Sequence, residues 1–263
     1  MAGELISIDL ATRRRSTIGY SAGMALYTLV VVAIYPAFKD ASDIDELLTD
    51  QPGLSALFGI NGSLTTPDGW LSGNVYANFL PLVLLFVTIG HGAATLAGEE
   101  GRGRIDLVLA LPLERRRIVL EKATAMTLVA TVVALATFVA SLIGRAFEVD
   151  VDVVSLATTT LGVLMMSLTF GFLALAFGGG TGERGHAIGI ASTVAAASYL
   201  LSSLAPLVDW LKPWRALSLF YWSVGNGQLV DGLGWDGFVV LLATTVASLA
   251  AAIVAFDRHD VAA

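Results

Sequence analysis

Apolar residues fall along this chain in six long runs separated by islands of charge. The runs are roughly Ile18–Phe38, Val75–Ala97, Ala123–Ile143, Val153–Phe177, His186–Pro206 and Gly237–Phe256, and none contains Asp, Glu, Lys or Arg. A helix of about 20 residues crosses about 30 Å of hydrocarbon, which is the length of these runs. Strands of a membrane barrel are shorter and alternate apolar with polar positions; the runs do neither. The pattern predicts an all-α membrane protein of six transmembrane helices, forming one domain over residues 1–263.

The islands predict its orientation. The N-terminus, residues 98–122, residues 178–185 and the C-terminus together hold 11 of the 15 Lys and Arg residues. The other connections hold only Lys39, Arg145, Lys212 and Arg215, beside twelve of the 22 acids. Positively charged connections stay in the cytoplasm, which places both termini inside and the acidic surplus outside. Leu5–Arg15 mixes apolar and charged residues and predicts an amphipathic lead-in helix along the membrane surface. Arg13–Arg15 before an apolar run mimics a signal peptide, but the run is too long and no small-residue cleavage site follows, so it reads as a retained first span. Two outer connections stand out, 39–74 and 207–236. In the first, Leu47, Leu48, Leu54, Leu57 and Phe58 have the spacing of a short amphipathic helix. The second contains Trp210, Trp214, Tyr221, Trp222 and Trp235; Trp and Tyr favour the membrane interface, which predicts short helices dipping into the outer leaflet.

Composition narrows the chemistry. The chain is 56% hydrophobic and 14% charged, with a mean hydropathy of +0.76, against about 25% charged residues in a soluble domain. It has no cysteine, which excludes disulfides, thiolate metal sites and cysteine nucleophiles. No span contains the acids or the Ser–Lys pair that an intramembrane enzyme needs, so no catalytic residue and no metal site are expected. Ala243, Ala247, Ala251 and Ala255, and Gly19 and Gly23, recur at four-residue spacing. Such stripes let helices approach closely, either within the chain or against another copy.

The densest island is 98–122. Within it Arg104–Leu111 is a short amphipathic run, with Ile105, Val108 and Leu109 on one face and Arg102, Arg104 and Asp106 able to face outward. Pro112 ends that run and suits the first turn of the next helix. Read from residues alone, the island could be no more than a positively charged loop that sets topology.

The chain as a whole resembles the membrane subunits of ABC transporters of the ABC-2 class, near the permeases of multidrug, antibiotic and nitrous-oxide-reductase-maturation systems. The resemblance rests on Arg13-Arg14-Arg15-Ser16 before the first span, and on Ile34-Tyr35-Pro36-Ala37-Phe38-Lys39 followed by an acidic loop and Gln51-Pro52-Gly53-Leu54. Its most specific part is Ala97-Gly98-Glu99-Glu100 through Gly103-Arg104-Ile105-Asp106-Leu107-Val108-Leu109-Ala110-Leu111-Pro112. Ala216-Leu217-Ser218-Leu219-Phe220-Tyr221-Trp222 and Phe256-Asp257-Arg258-His259 complete it. His259, where arginine is more usual, and His91 inside the second span depart from the pattern.

The resemblance implies a permease without its own ATPase, working as a homo- or heterodimer of permease copies in the cell membrane with separate ATP-binding subunits. No cofactor is expected on this chain; ATP and Mg belong to the partner, and no nucleic acid is involved. Gly178-Gly179-Gly180-Thr181-Gly182 lacks the lysine of a phosphate-binding loop and reads as an inner turn. By resemblance, Glu99, Glu100, Arg102, Gly103, Arg104, Ile105, Asp106 and Leu109 form a coupling helix between spans two and three that lodges in the ATPase. Arg115–Arg117 would anchor at headgroups. The translocation path would lie between two copies, with Thr88, His91, Ser192 and Tyr199 on spans two and five as candidates. Thr88 and His91 are three apart, and Ser192 and Tyr199 seven apart, so each pair is expected to share a face. Export is the direction the resemblance implies. The alternative is a non-transporting scaffold or mechanotransmitter in a maturation system.

Overall fold

A computed structural model describes residues 4–40, 63–95 and 114–258. It contains six helical stretches long and apolar enough to cross a membrane, and no strand among the described residues. The chain is an all-α membrane protein, as the apolar runs predict. The first span, α1, covers Glu4–Phe38. The second combines a short helix α2 (Pro67–Leu71), a π-helical turn at Ser72–Tyr76, and α3 (Phe79–Thr95). Then come α4 (Arg115–Ile143), α5 (Val153–Thr181) and α6 (Arg184–Leu204). After a 3-10 turn at Lys212–Leu217 follow α7 (Leu219–Ser223), α8 (Gln228–Asp231) and the last span, α9 (Trp235–Arg258).

The spans alternate in direction. One end of the bundle gathers the arginine-rich helix ends and is here the basic end; the opposite, acidic end carries Lys39–Glu148 and Arg145–Asp150 ion pairs. No break separates the lead-in segment from the first span. At 1.5 Å per residue, α1 is about 52 Å long, well beyond the hydrocarbon thickness. Leu5–Arg15 therefore extends past the membrane as part of α1, packed along α4, with Leu5 buried.

The second span also starts earlier than its apolar run. Thr66 accepts a hydrogen bond from the Gly69 N–H and Pro67 occupies the first turn, a strong helix start. The candidate amphipathic helix around Leu47–Phe58 lies outside the described residues. Between the last two spans the chain folds into short helices tied to α5: Thr159 Oγ1 donates to Gln228 O at 2.8 Å, and Gln228 Nε2 donates to Tyr221 O and Trp222 O. Trp210, Trp214 and Trp235 are exposed.

Helix α5 is the central post, packing against α3, α4, α6 and α9. Its crossing with α3 depends on two glycines. A Cβ on Gly92 would meet Gly171 O at 2.2 Å, and one on Gly171 would meet Thr88 Cβ at 2.7 Å. The small-residue stripes turn the other way. Ala243, Ala247 and Ala251 are exposed, while α9 faces the bundle with Leu241, Ser248, Ala252 and Phe256. Nothing approaches a Cβ on Gly19 or Gly23 within 4 Å. Only Ala255 at the end of the stripe packs within the chain, against Gly180 of α5 and the core.

Candidate functional site

Three helices supply most of the wall of a cavity of about 780 Å³, which Val129 of α4 and Phe220 of α7 also line. From α1 come Arg13, Ser16, Thr17 and Tyr20, whose spacing puts them on one face. From α6 come Arg184, Ile188, Ser192 and Tyr199, again one face; α3 supplies an almost continuous wall from Phe79 to His91. At the acidic end, the Tyr199 hydroxyl donates to Asn78 Oδ1 at 3.4 Å, and its ring meets Phe220 edge-on at 5.3 Å. At the basic end the cavity is flanked by Arg13 and Arg184. Between them the walls are mostly apolar, with Leu82, Leu85, Phe86 and Ile89 among the lining residues.

His91 belongs both to this wall and to a buried charge cluster. Its Nε2 lies 3.2 Å from Asp9 Oδ2, and Lys122 Nζ lies 3.4 Å from Asp9 Oδ1. The side chains of His91, Lys122 and Asp9 are 1%, 8% and 12% exposed. One carboxylate from α1 thus joins α3 and α4, the two spans that flank residues 96–113. The charges of Asp9 and Lys122 offset each other, which is how ionisable groups persist where water is scarce. Nearby, Arg117 Nε donates to Glu121 Oε1 at 3.2 Å, and Arg115 donates to Phe256 O at 3.3 Å while lying over the Phe256 ring. Arg115 thus reaches α9, while Arg117 pairs one turn along its own helix. No group of three or more His, Asp and Glu side chains is placed to hold a metal among the described residues.

The four path candidates separate. His91, Ser192 and Tyr199 all line the cavity. Thr88 does not: it is fully buried and its Oγ1 donates to Ser167 O of α5 at 2.8 Å. Three residues along a helix is a rotation of about 300°, so Thr88 and His91 diverge by about 60°, enough to reach different neighbours. Seven residues return to within about 20°, and Ser192 and Tyr199 stay together. The coupling residues Glu99, Glu100, Arg102, Gly103, Arg104, Ile105, Asp106 and Leu109 lie outside the described residues.

Sequence reasoning missed Asp9, Lys122, Arg13, Arg184 and Asn78 as site residues. It read Lys122 as the edge of a charged loop, whereas α4 begins at Arg115 and carries Glu121 and Lys122 into the packed bundle. The available signal was spacing: Leu5, Asp9 and Arg13 recur every four residues, so Asp9 shares a face with an apolar neighbour.

No curated protein matches the chain. A family profile described as ABC-2 family transporter protein matches residues 4–261. On that match, and on six apolar spans, the chain belongs to the ABC-2 transporter family and is a multi-pass membrane permease component of an ABC transporter.

Proposed function

We propose that the chain is the membrane subunit of an ATP-driven exporter in the cell membrane, paired with a second permease copy and driven by separate ATP-binding subunits. The cavity between α1, α3 and α6 is the observation that carries this reading: it gives the bundle a chamber of ligand size, within the range of about 300–1,000 Å³. Ser192 is exposed in the single chain, so a second copy facing α6 would complete the chamber wall.

The drive passes through residues 96–113. ATP closes the partner ATPases, and the coupling segment moves with them. Asp9 holds α1 to both spans that flank this segment. A displacement of the segment would therefore reach α3, α4 and α1 together, while α6 packs mainly on α5 and to a lesser extent on α3.

The test is purification of the tagged chain in mild detergent, followed by ATPase assay of the complex. A stoichiometric ATP-binding subunit is expected. Gly103→Pro and Asp106→Arg should leave membrane insertion intact and uncouple ATP turnover from the permease; wild-type coupling in both variants removes the coupling assignment. A homo-oligomer without any ATPase, from a host that encodes one nearby, favours the scaffold reading instead.

A further inference from the structure

At the acidic end, in the 3-10 turn Lys212–Leu217 that follows α6, lies Arg215. It is half-buried. Its Nη2 donates to Gly225 O at 2.6 Å, and the guanidinium lies 4.7 Å from the centre of the Tyr221 ring. Its Nε is buried without a hydrogen-bond partner, and burial works against the charge. No carboxylate pairs with it among the described residues; Asp209, six positions earlier, is held by Lys212 at 2.7 Å. A guanidinium brings five N–H donors. One carbonyl and one ring leave it short of both acceptors and counter-charge.

The turn is fastened on both sides. Ser218 Oγ donates to Ser198 O of α6 at 2.6 Å, and Trp222 Nε1 donates to Ala216 O at 2.7 Å. Three residues complete a 3-10 turn, so Trp214 and Leu217 share a face. Both are exposed, as is Trp210. An under-satisfied cation is thus held beside exposed aromatic and aliphatic side chains, in the connection between two spans.

We propose that Arg215 binds the phosphate of a phospholipid in the leaflet at the acidic end, with Trp214 and Leu217 lying against the lipid's glycerol and upper chains. Arginine forms charge-assisted, fork-shaped hydrogen bonds with phosphate oxygens. Trp favours the headgroup level of a membrane, the depth at which those phosphates lie. The surplus of acids at this end repels a dissolved anion. A lipid is kept there by its chains, so its phosphate reaches Arg215 where a free ion is disfavoured. The site is at the end opposite residues 96–113, and binding there requires no ATP turnover.

The experiment uses the full chain in dodecyl maltoside, a detergent without phosphate. Phosphatidylglycerol with a photoreactive diazirine near its head is compared with diacylglycerol carrying the same labelled chains. The phosphatidylglycerol probe is expected to label residues 207–217, and the diacylglycerol probe to label them about tenfold less, since a charged hydrogen bond is worth about that factor. This comparison needs no variant. Arg215→Gln should lower phosphatidylglycerol labelling of the segment to the diacylglycerol level, while labelling of the spans stays as in wild type, which separates loss of the site from loss of the fold. Arg215→Lys keeps the charge without the fork and should retain part of it. Excess inorganic phosphate should compete little. Equal labelling by the two lipids, or unchanged labelling in the glutamine variant, overturns the proposal and leaves only an apolar patch. Full competition by inorganic phosphate overturns the lipid assignment in favour of a soluble anion. Each of these outcomes leaves the transporter reading untouched, since that reading rests on the ATPase assay of the complex.

Discussion

At the basic end of the bundle Asp9 draws His91 and Lys122 together across three helices. At the acidic end the ion pairs Lys39–Glu148 and Arg145–Asp150 are solvent-exposed, and the buried joints are of another kind. Trp70 Nε1 donates to Val31 O at 2.9 Å, the Tyr35 hydroxyl to Thr65 O at 2.7 Å, and the Tyr27 hydroxyl to Asn74 O at 2.9 Å. Tyr76, fully buried, lies 3.1 Å from Thr160 Oγ1. Bonds from rings to main-chain carbonyls are short and directional, so they weaken steeply when helices slide. Attraction between charges falls off slowly with distance and survives a change of partner geometry. The contrast teaches that the acidic end holds α1 and the second span in one register. At the basic end, where residues 96–113 link α3 to α4, α1 is joined to both helices through charge.

The largest expected effect tests whether charge alone holds the basic end. Gly92→Val places side-chain atoms where Gly171 O already lies 2.2 Å from a Cβ, and backbone on both sides leaves no flexible neighbour to yield. A loss of about 3 kcal/mol or more is expected, read as collapse of the folded fraction in detergent. Retained wild-type melting would show that the α3–α5 crossing has room for a side chain at Gly92. Next comes Asp9→Ala, which leaves Lys122 buried without its counter-charge and should cost about 3 kcal/mol. Adding Lys122→Met should recover much of that, and a thermal melt of the single and double variants measures the coupling. An Asp9→Ala variant as stable as wild type would erase the distinction between the two ends.

Trp70→Phe strips one directional bond from the acidic end and leaves Val31 O buried without it. The expected loss is about 1–2 kcal/mol, with ATP coupling unchanged; a coupling defect would mean that the acidic end also moves. Smallest is the pH response of Asp152. It caps α5 by accepting a hydrogen bond from the Ser155 N–H at 2.8 Å, and that bond holds its carboxyl below the usual range. A carboxylate with a depressed folded value contributes stability above its unfolded pKa of about 3.9, and this is lost as pH falls through the lower folded value. Asp152→Asn should remove that acid-side dependence, seen as a flatter melting profile below about pH 4.

The six spans, their all-α character and the separation of basic from acidic connections were legible because hydrocarbon thickness imposes a length that unbroken apolar runs must match. The reach of α1 was not, since Leu5–Arg15 carries the same mixed residues whether it lies on a surface or extends a span. His91 stood out as the ionisable residue within a run. Its partners did not, because a charge at the edge of a run looks the same whether solvated or buried, and Asp9 and Lys122 sit 82 and 31 positions from His91 in the chain. Sequence by itself determined which segments enter the membrane and which end is basic, through solvation energies that each residue carries alone. Only the tertiary structure decided that Thr88 turns to α5 while His91 turns to α1, and that two arginines flank one cavity. Helix rotation and neighbour choice are settled by packing among distant segments, which no local pattern contains.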